Sequence, residues 1–183
     1  MTKRALSPED WIKAGLDALA QGGPAALRAE AIARDIGATK GSFYWHFRDL
    51  PAYKAAILAC WQRHCTDEII ALAETHPDPP SRLAALIALA TALPDPADPA
   101  PDHAAEQAIR GWSRHDPLAA EAVARVDQQR LAYLRDQLAG MGGDATRNAR
   151  LIYAAHLGLE LLAPADSDSR GADLRDLLAL LTR

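Results

Sequence analysis

Apolar residues recur along this chain every three to four positions, and that spacing predicts helices over nearly its whole length. Ser7-Pro8-Glu9-Asp10 has the composition of a helix start, with Ser7 as N-cap, Pro8 in the first turn and acids where the helix dipole favours them. Ile12, Gly15, Leu16 and Leu19 form the apolar face of this helix, and Gly22-Gly23-Pro24 ends it. A short second helix is expected over residues 27–36, burying Ala29, Ile32, Ala33 and Ile36, with Gly37 closing it in a left-handed conformation. Thr39 can cap a very short third helix, because Asp49 and Pro51 signal a fresh start ten residues later. A fourth helix is expected over 50–75, stopped by Pro77, Pro79 and Pro80, and a fifth carries Leu83, Leu86, Ile87, Ala90 and Leu93. The run PDPADPAP at 94–101 and the Asp- and Ser-rich stretch 163–170 predict loops, with further helices over 102–115, 117–140, 144–162 and from 171 onward. Strand-like alternation is missing, so the fold class is all-α.

Composition sharpens this picture in three ways. Hydrophobic residues make up 49% of the 183, enough for a sizeable core. No run approaches the length of a membrane span and no signal peptide is evident, so a soluble, cytoplasmic protein is expected, with no membrane partner. Two cysteines, Cys60 and Cys65, sit five apart on one predicted helix and point away from each other, which argues against a structural disulfide. Charge is unevenly spread. Residues 1–54 hold eight Lys/Arg against six Asp/Glu, although the chain as a whole carries −4, so a phosphate-facing surface belongs in the N-terminal third.

The informative stretch is LRAEAIARDIGATKGSFYWHF, residues 27–47, which sets two short helices around a glycine-containing turn. That is helix-turn-helix geometry, whose second helix enters the major groove of DNA. At 100° per residue Phe43 and Phe47 share one face of the second helix, while Gly41 and Trp45 share the opposite one, flanked by Lys40 and Tyr44. One side therefore anchors to a core. The other suits a groove: Gly41 allows close backbone approach, Lys40 can meet a guanine edge or a phosphate, and Ser42, Tyr44 and His46 can donate to phosphates. A purely structural role would require all four aromatics to be buried, and Phe43, Tyr44, Trp45 and Phe47 span too much of the circumference for that.

The run TKGSFYWHF, preceded by a helix ending at Ile36-Gly37, resembles the TetR family of bacterial regulators, and the likeness covers residues 8–60 before fading beyond about 65. It implies a three-helix DNA-binding domain over 1–50 and a larger helical bundle over 51–183 that dimerises and binds a small-molecule inducer. Carried over by position, Thr39 caps the recognition helix, Lys40, Gly41 and Ser42 match base- or backbone-contacting positions, and Tyr44, Trp45 and His46 match the phosphate-contacting end. Arg28 is a candidate phosphate anchor at the start of the preceding helix. One departure stands out: many members place lysine at the start of the fourth helix, where this chain has Leu50, leaving Lys54, Arg48 or the helix N-terminus to supply that contact.

The remainder is legible only in outline. Leu151, Ile152, Ala155, Leu159 and Leu162, with Leu174, Leu177, Leu178 and Leu181, can bury a face against a symmetry mate as a four-helix bundle. Large or polar residues on apolar faces, namely Trp61, Cys65, Trp112, Tyr133, Tyr153 and His156, are the pocket candidates, although each alone is more often ordinary core. Cys60 and His64 have the i, i+4 spacing of metal ligands, and with Cys65 they suggest a metal or thiol sensor, but no second ligand motif accompanies them. No nucleophile elbow, P-loop or dinucleotide fingerprint occurs, so an enzyme is not expected and no cofactor is implied. The expectation is a DNA-binding transcriptional regulator, acting as a homodimeric repressor that a small-molecule inducer releases from a palindromic double-stranded operator. The alternatives are a DNA-binding module without a small-molecule input, or a metal or thiol sensor using Cys60, His64 and Cys65.

Overall fold

The computed structural model describes residues 6–92, 103–162 and 167–183, and among these every regular element is helical. In chain order they are α1 (Pro8–Gly22), a 3₁₀ turn (Pro24–Ala26), α2 (Ala29–Asp35), α3 (Lys40–His46), α4 (Leu50–Gln62), a π-helical turn (Arg63–Asp67) and α5 (Glu68–Glu74). Then follow α6 (Pro79–Thr91), α7 (His103–Trp112), α8 (Pro117–Leu138), α9 (Ala145–Leu162) and α10 (Ser167–Leu181). Contacts group them into two compact units, one of residues 1–64 and 96–124, the other of 65–95 and 125–183.

The first unit is organised by aromatic side chains. Trp11, Phe43, Tyr53 and Trp61 are wholly buried, and Phe43 meets Trp11 edge-on at 5.5 Å and Tyr53 at 5.1 Å between centroids. Such pairs add specific geometry to the area they bury. Tyr53 donates its hydroxyl to the carbonyl of Trp11 at 2.6 Å, tying α4 to α1, and burial pushes its pKa well above the usual phenol value. Gly15 makes this crossing feasible: a Cβ there would lie 2.3 Å from the Tyr53 hydroxyl oxygen and 2.6 Å from Ile57 Cδ1. The predicted start of α1 is reproduced, with Ser7 accepting from the Asp10 amide at 3.3 Å and Asp10 accepting in turn from the Ser7 amide at 2.7 Å. Its buried face differs from expectation by one position, because Trp11 is fully buried and Ile12 only half so.

The second unit packs Leu83 of α6, Leu134 and Leu138 of α8, and Ala149, Ile152 and Tyr153 of α9 into one apolar cluster, with Leu177, Leu178 and Leu181 of α10 against it. Asn148, fully buried, donates to the carbonyl of Leu181 at 2.9 Å and so satisfies a backbone acceptor in the last turn of α10. A polar cluster interrupts the apolar packing. Arg130 donates to the Cys65 carbonyl at 2.8 Å and to Thr66 Oγ1 at 3.0 Å, while Tyr153 donates to Asp127 at 2.7 Å.

Three boundaries depart from the sequence expectation. The second helix begins at Ala29, because Pro24–Ala26 form a 3₁₀ turn and Arg28 is extended. The fourth helix runs as far as expected but is broken by the π-helical turn at Arg63–Asp67. Residues 167–170, expected in a loop, are the first turn of α10. The expected loop at 94–101, Leu93 and residues 163–166 lie outside the described residues.

Candidate nucleic-acid interface

The turn between α2 and α3 is specified residue by residue. Gly37 adopts φ 66°, a left-handed conformation that residues with a side chain rarely take, and it reverses the chain after α2. Thr39 then caps α3, its hydroxyl accepting from the Ser42 amide at 3.2 Å. Phe43 is completely buried and Phe47 nearly so, which fixes the rotation of the short helix against α1 and α4. At the other end Asp49 caps α4 by accepting from the Ala52 amide at 2.8 Å. That hydrogen bond, with a further one from Arg48, holds the Asp49 carboxyl below the usual carboxylate range.

With the helix locked in this rotation, its other side faces outward. Trp45 is 89% exposed and Tyr44 53%, the two largest exposed aromatic surfaces among the described residues. Lys40, Gly41 and Thr39 are exposed, and Ser42 and His46 half-buried. Gly41 has no internal need to be glycine, since a Cβ there would touch only Thr39 Oγ1 at an ordinary 3.7 Å. Arg28 is exposed and serves as the extended N-cap residue of α2. Thus Arg28, Thr39, Lys40, Gly41, Tyr44 and Trp45 are all solvent-facing within the first unit, with Ser42 and His46 at the margin.

Lys40 carries a partner that sequence reasoning missed. Its ammonium lies 2.7 Å from Glu30 Oε1 across the turn, with both side chains more than half exposed. Of the three groups that could replace the absent lysine at position 50, Lys54 lies over the Trp112 ring, 5.2 Å from its centroid. Arg48 is highly exposed and bonded to Asp49 at 2.9 Å, and the α4 N-terminus is capped by that same carboxylate.

The pocket candidates are distributed over both units. Trp61, whose indole donates to Glu106 at 3.4 Å, and Trp112 are buried in the first. Cys65, Tyr133, Tyr153 and His156 belong to the second, where Tyr153 stacks on His156 at 6.4 Å and His156 Nε2 lies 3.6 Å from the buried Glu160. In the first unit Cys60 is buried and His64 lies 3.3 Å from an Arg63 guanidinium nitrogen. Among the described residues no group of three or more His, Cys, Asp or Glu side chains is gathered as metal ligands, and no helix is long and apolar enough to cross a membrane.

Comparison with known proteins points to the same segment. Residues 12–49 match the model of bacterial regulatory proteins, tetR family. Over the whole chain the fold is similar to that of a transcriptional regulator from Rhodococcus sp., at 22% identity and TM-score 0.78, covering 96% of each chain. It is similar also to a TetR-family transcriptional regulator from Agrobacterium tumefaciens, at 19% identity and TM-score 0.79, covering 96% of this chain and 97% of that one. A third likeness is to a candidate transcriptional regulator from Saccharomonospora viridis in complex with choline, at 21% identity and TM-score 0.73, covering 94% and 95%. No curated protein sequence matches the chain.

Proposed function

We propose that this chain, whose residues 12–49 match the tetR-family model, is a transcriptional regulator that binds a palindromic operator as a homodimer and leaves it when a small molecule binds the second unit. The observation that carries the DNA-facing part is the rotation of α3: two phenylalanines are buried, while Tyr44, Trp45, Lys40 and Gly41 face solvent. A surface with two large aromatics and a lysine suits groove walls and phosphates, where an indole N–H and a phenol O–H can donate. Thr39, Lys40, Gly41 and Ser42 are assigned to base edges and adjoining backbone, and Arg28, Tyr44, Trp45 and His46 to phosphates.

Dimerisation is assigned to α9 and α10. Leu151, Ala155, Gly158 and Leu162 fall on one stripe of α9 at 100° per residue, with Leu151 45% and Leu162 82% exposed. A Cβ at Gly158 would meet nothing within 4 Å, so the middle of the stripe is open to a neighbouring helix. Pairing two protomers there would supply the two recognition helices, one DNA turn apart, that a palindrome requires. The polar cluster of Arg130, Tyr153 and His156 within the second unit is the place we assign to the ligand, which acts by favouring a conformer unable to span the half-sites. Repression is the output we assign.

Selection of bound sequences from a random duplex pool, followed by affinity against salt, tests this. A palindromic motif bound at about 10⁻⁸ to 10⁻¹¹ M, with affinity falling steeply as salt rises, is the expected result. A selected motif without two-fold symmetry would exclude the dimeric operator. A pool unenriched even at low salt would exclude specific DNA recognition by the purified form.

A further inference from the structure

Glu30 stands in the first turn of α2, and its carboxylate is bonded at 2.7 Å to Lys40, the first residue of α3. Each group shifts the other. The hydrogen bond from Lys40 holds the Glu30 carboxyl below the usual range, assisted by the charges of Arg34 and Arg28, and the bond to Glu30 raises Lys40. With side chains 67% and 56% exposed, the pair contributes little to stability. Its position is what matters. A carboxylate beside the first residue of a groove-facing helix repels every phosphate it approaches, so on stability and affinity alone the site would be better off without it.

A carboxylate in that position has one favourable contact with DNA, because it can accept from the exocyclic amino group of cytosine, while a neighbouring lysine meets guanine O6 and N7. We propose that Glu30 is a specificity-determining residue, reading a base amino group in the major groove while its bond to Lys40 fixes the direction of both side chains. This rests on α3 being the recognition helix. On unselected DNA the carboxylate neutralises Lys40 and repels phosphate with no compensation. On the operator, a cytosine amino group opposite Glu30 offsets that cost. Affinity for random sequence is thereby lowered more than affinity for the operator.

Glu30→Gln keeps the shape and removes the charge. It should tighten binding to a random duplex, because the released lysine neutralises one more phosphate and steepens the slope of log K against log salt by about 0.9. Its advantage over the parent on that duplex should grow about threefold between 200 and 50 mM salt. The operator-to-random affinity ratio should fall by about tenfold, the order expected for one lost base contact. Reselection from a random pool should replace cytosine by adenine, or lose preference, at one position of each half-site, since glutamine pairs with adenine. Lys40→Ala serves as the reference. An unchanged affinity ratio and an unchanged selected site in Glu30→Gln, with Lys40→Ala still weakening operator binding, would overturn the role of Glu30 and leave the recognition helix in place. Operator affinity unchanged in both variants would instead overturn the assignment of α3.

Discussion

Among the described helices that leave large apolar side chains in water, α3 and α9 do so with different residues. On α3 the exposed surface is Tyr44 and Trp45 beside Lys40 and Gly41; on α9 it is Leu151, Leu161 and Leu162, with the half-buried Ala155 and Gly158 on the stripe that joins Leu151 to Leu162. Aromatic rings with polar tips, next to a cation, can lie against a hydrated polyanion without stranding a hydrogen-bonding group. Aliphatic side chains have no such tip and gain only by leaving water against another apolar surface. In the proposed regulator, the chemistry of the exposed residues, more than their number, separates the nucleic-acid face from the protein face.

The comparison depends on α3 being held in one rotation, so the largest effect should come from removing its anchor. Phe43 is fully buried among Trp11, Phe47 and Tyr53, and Phe43→Ala should cost about 3–5 kcal/mol of stability in denaturant unfolding. A variant as stable as the parent would mean that α3 is rotated the other way. On α9, Leu151→Glu combined with Leu162→Glu should weaken self-association by roughly 2 kcal/mol or more, read by sedimentation equilibrium, with the helix content unchanged. If the protein stays as associated as before, the dimer uses another face.

These contrasts were partly legible in the sequence. The face of α3 followed from the period of Phe43 and Phe47 alone, because a short helix with four aromatics cannot bury them all. The caps at Ser7, Thr39 and Asp49 were equally local, since each is a side chain bonding an amide three residues on. What escaped was non-local. The π-helical turn at Arg63–Asp67 has its Cys65 carbonyl and Thr66 hydroxyl satisfied by Arg130, far along the chain, and no periodicity in residues 50–75 encodes that. The Glu30–Lys40 pair crosses the turn between two helices and likewise depends on their packing. Trp11 was missed as core because Gly15, which brings α4 close, shifts the buried stripe toward it. The start of α10 resembles a loop in sequence because its Ser and Asp residues are common both in loops and in first helical turns.

Gly41 gives a finer test of the α3 face. Its Cβ position is open, so Gly41→Ala should leave stability unchanged or raise it by up to about 1 kcal/mol through better helix propensity. Operator affinity should fall nonetheless, by roughly tenfold, because the added methyl stands where the groove wall approaches. Stability and DNA affinity rising together would show that Gly41 faces open solvent in the complex.

The smallest effect concerns acid. Asp49, Asp78 and Asp144 each cap a helix start by accepting from a backbone amide, of Ala52, Ser81 and Arg147 respectively. In each the carboxyl is held below its ordinary value by hydrogen bonding: Asp49 and Asp144 chiefly to the backbone, Asp78 chiefly to the Ser81 hydroxyl. A carboxyl whose pKa is lower folded than unfolded contributes stability that is complete above the unfolded value, about 3.9, and is lost as pH falls through the folded one. The melting temperature should therefore respond to these three groups only below about pH 5 and fall as they protonate. Asparagine accepts the same hydrogen bond and does not titrate, so replacing all three by Asn should flatten the acid limb while changing the neutral-pH value little. Because Asp49 joins α3 to α4 whereas Asp78 and Asp144 serve the second unit, single replacements separate the two regions: Asp49→Asn alone should flatten the acid response of DNA binding, and the other two should not. An acid response of DNA binding that Asp49→Asn leaves as steep as in the parent would assign it to other carboxylates.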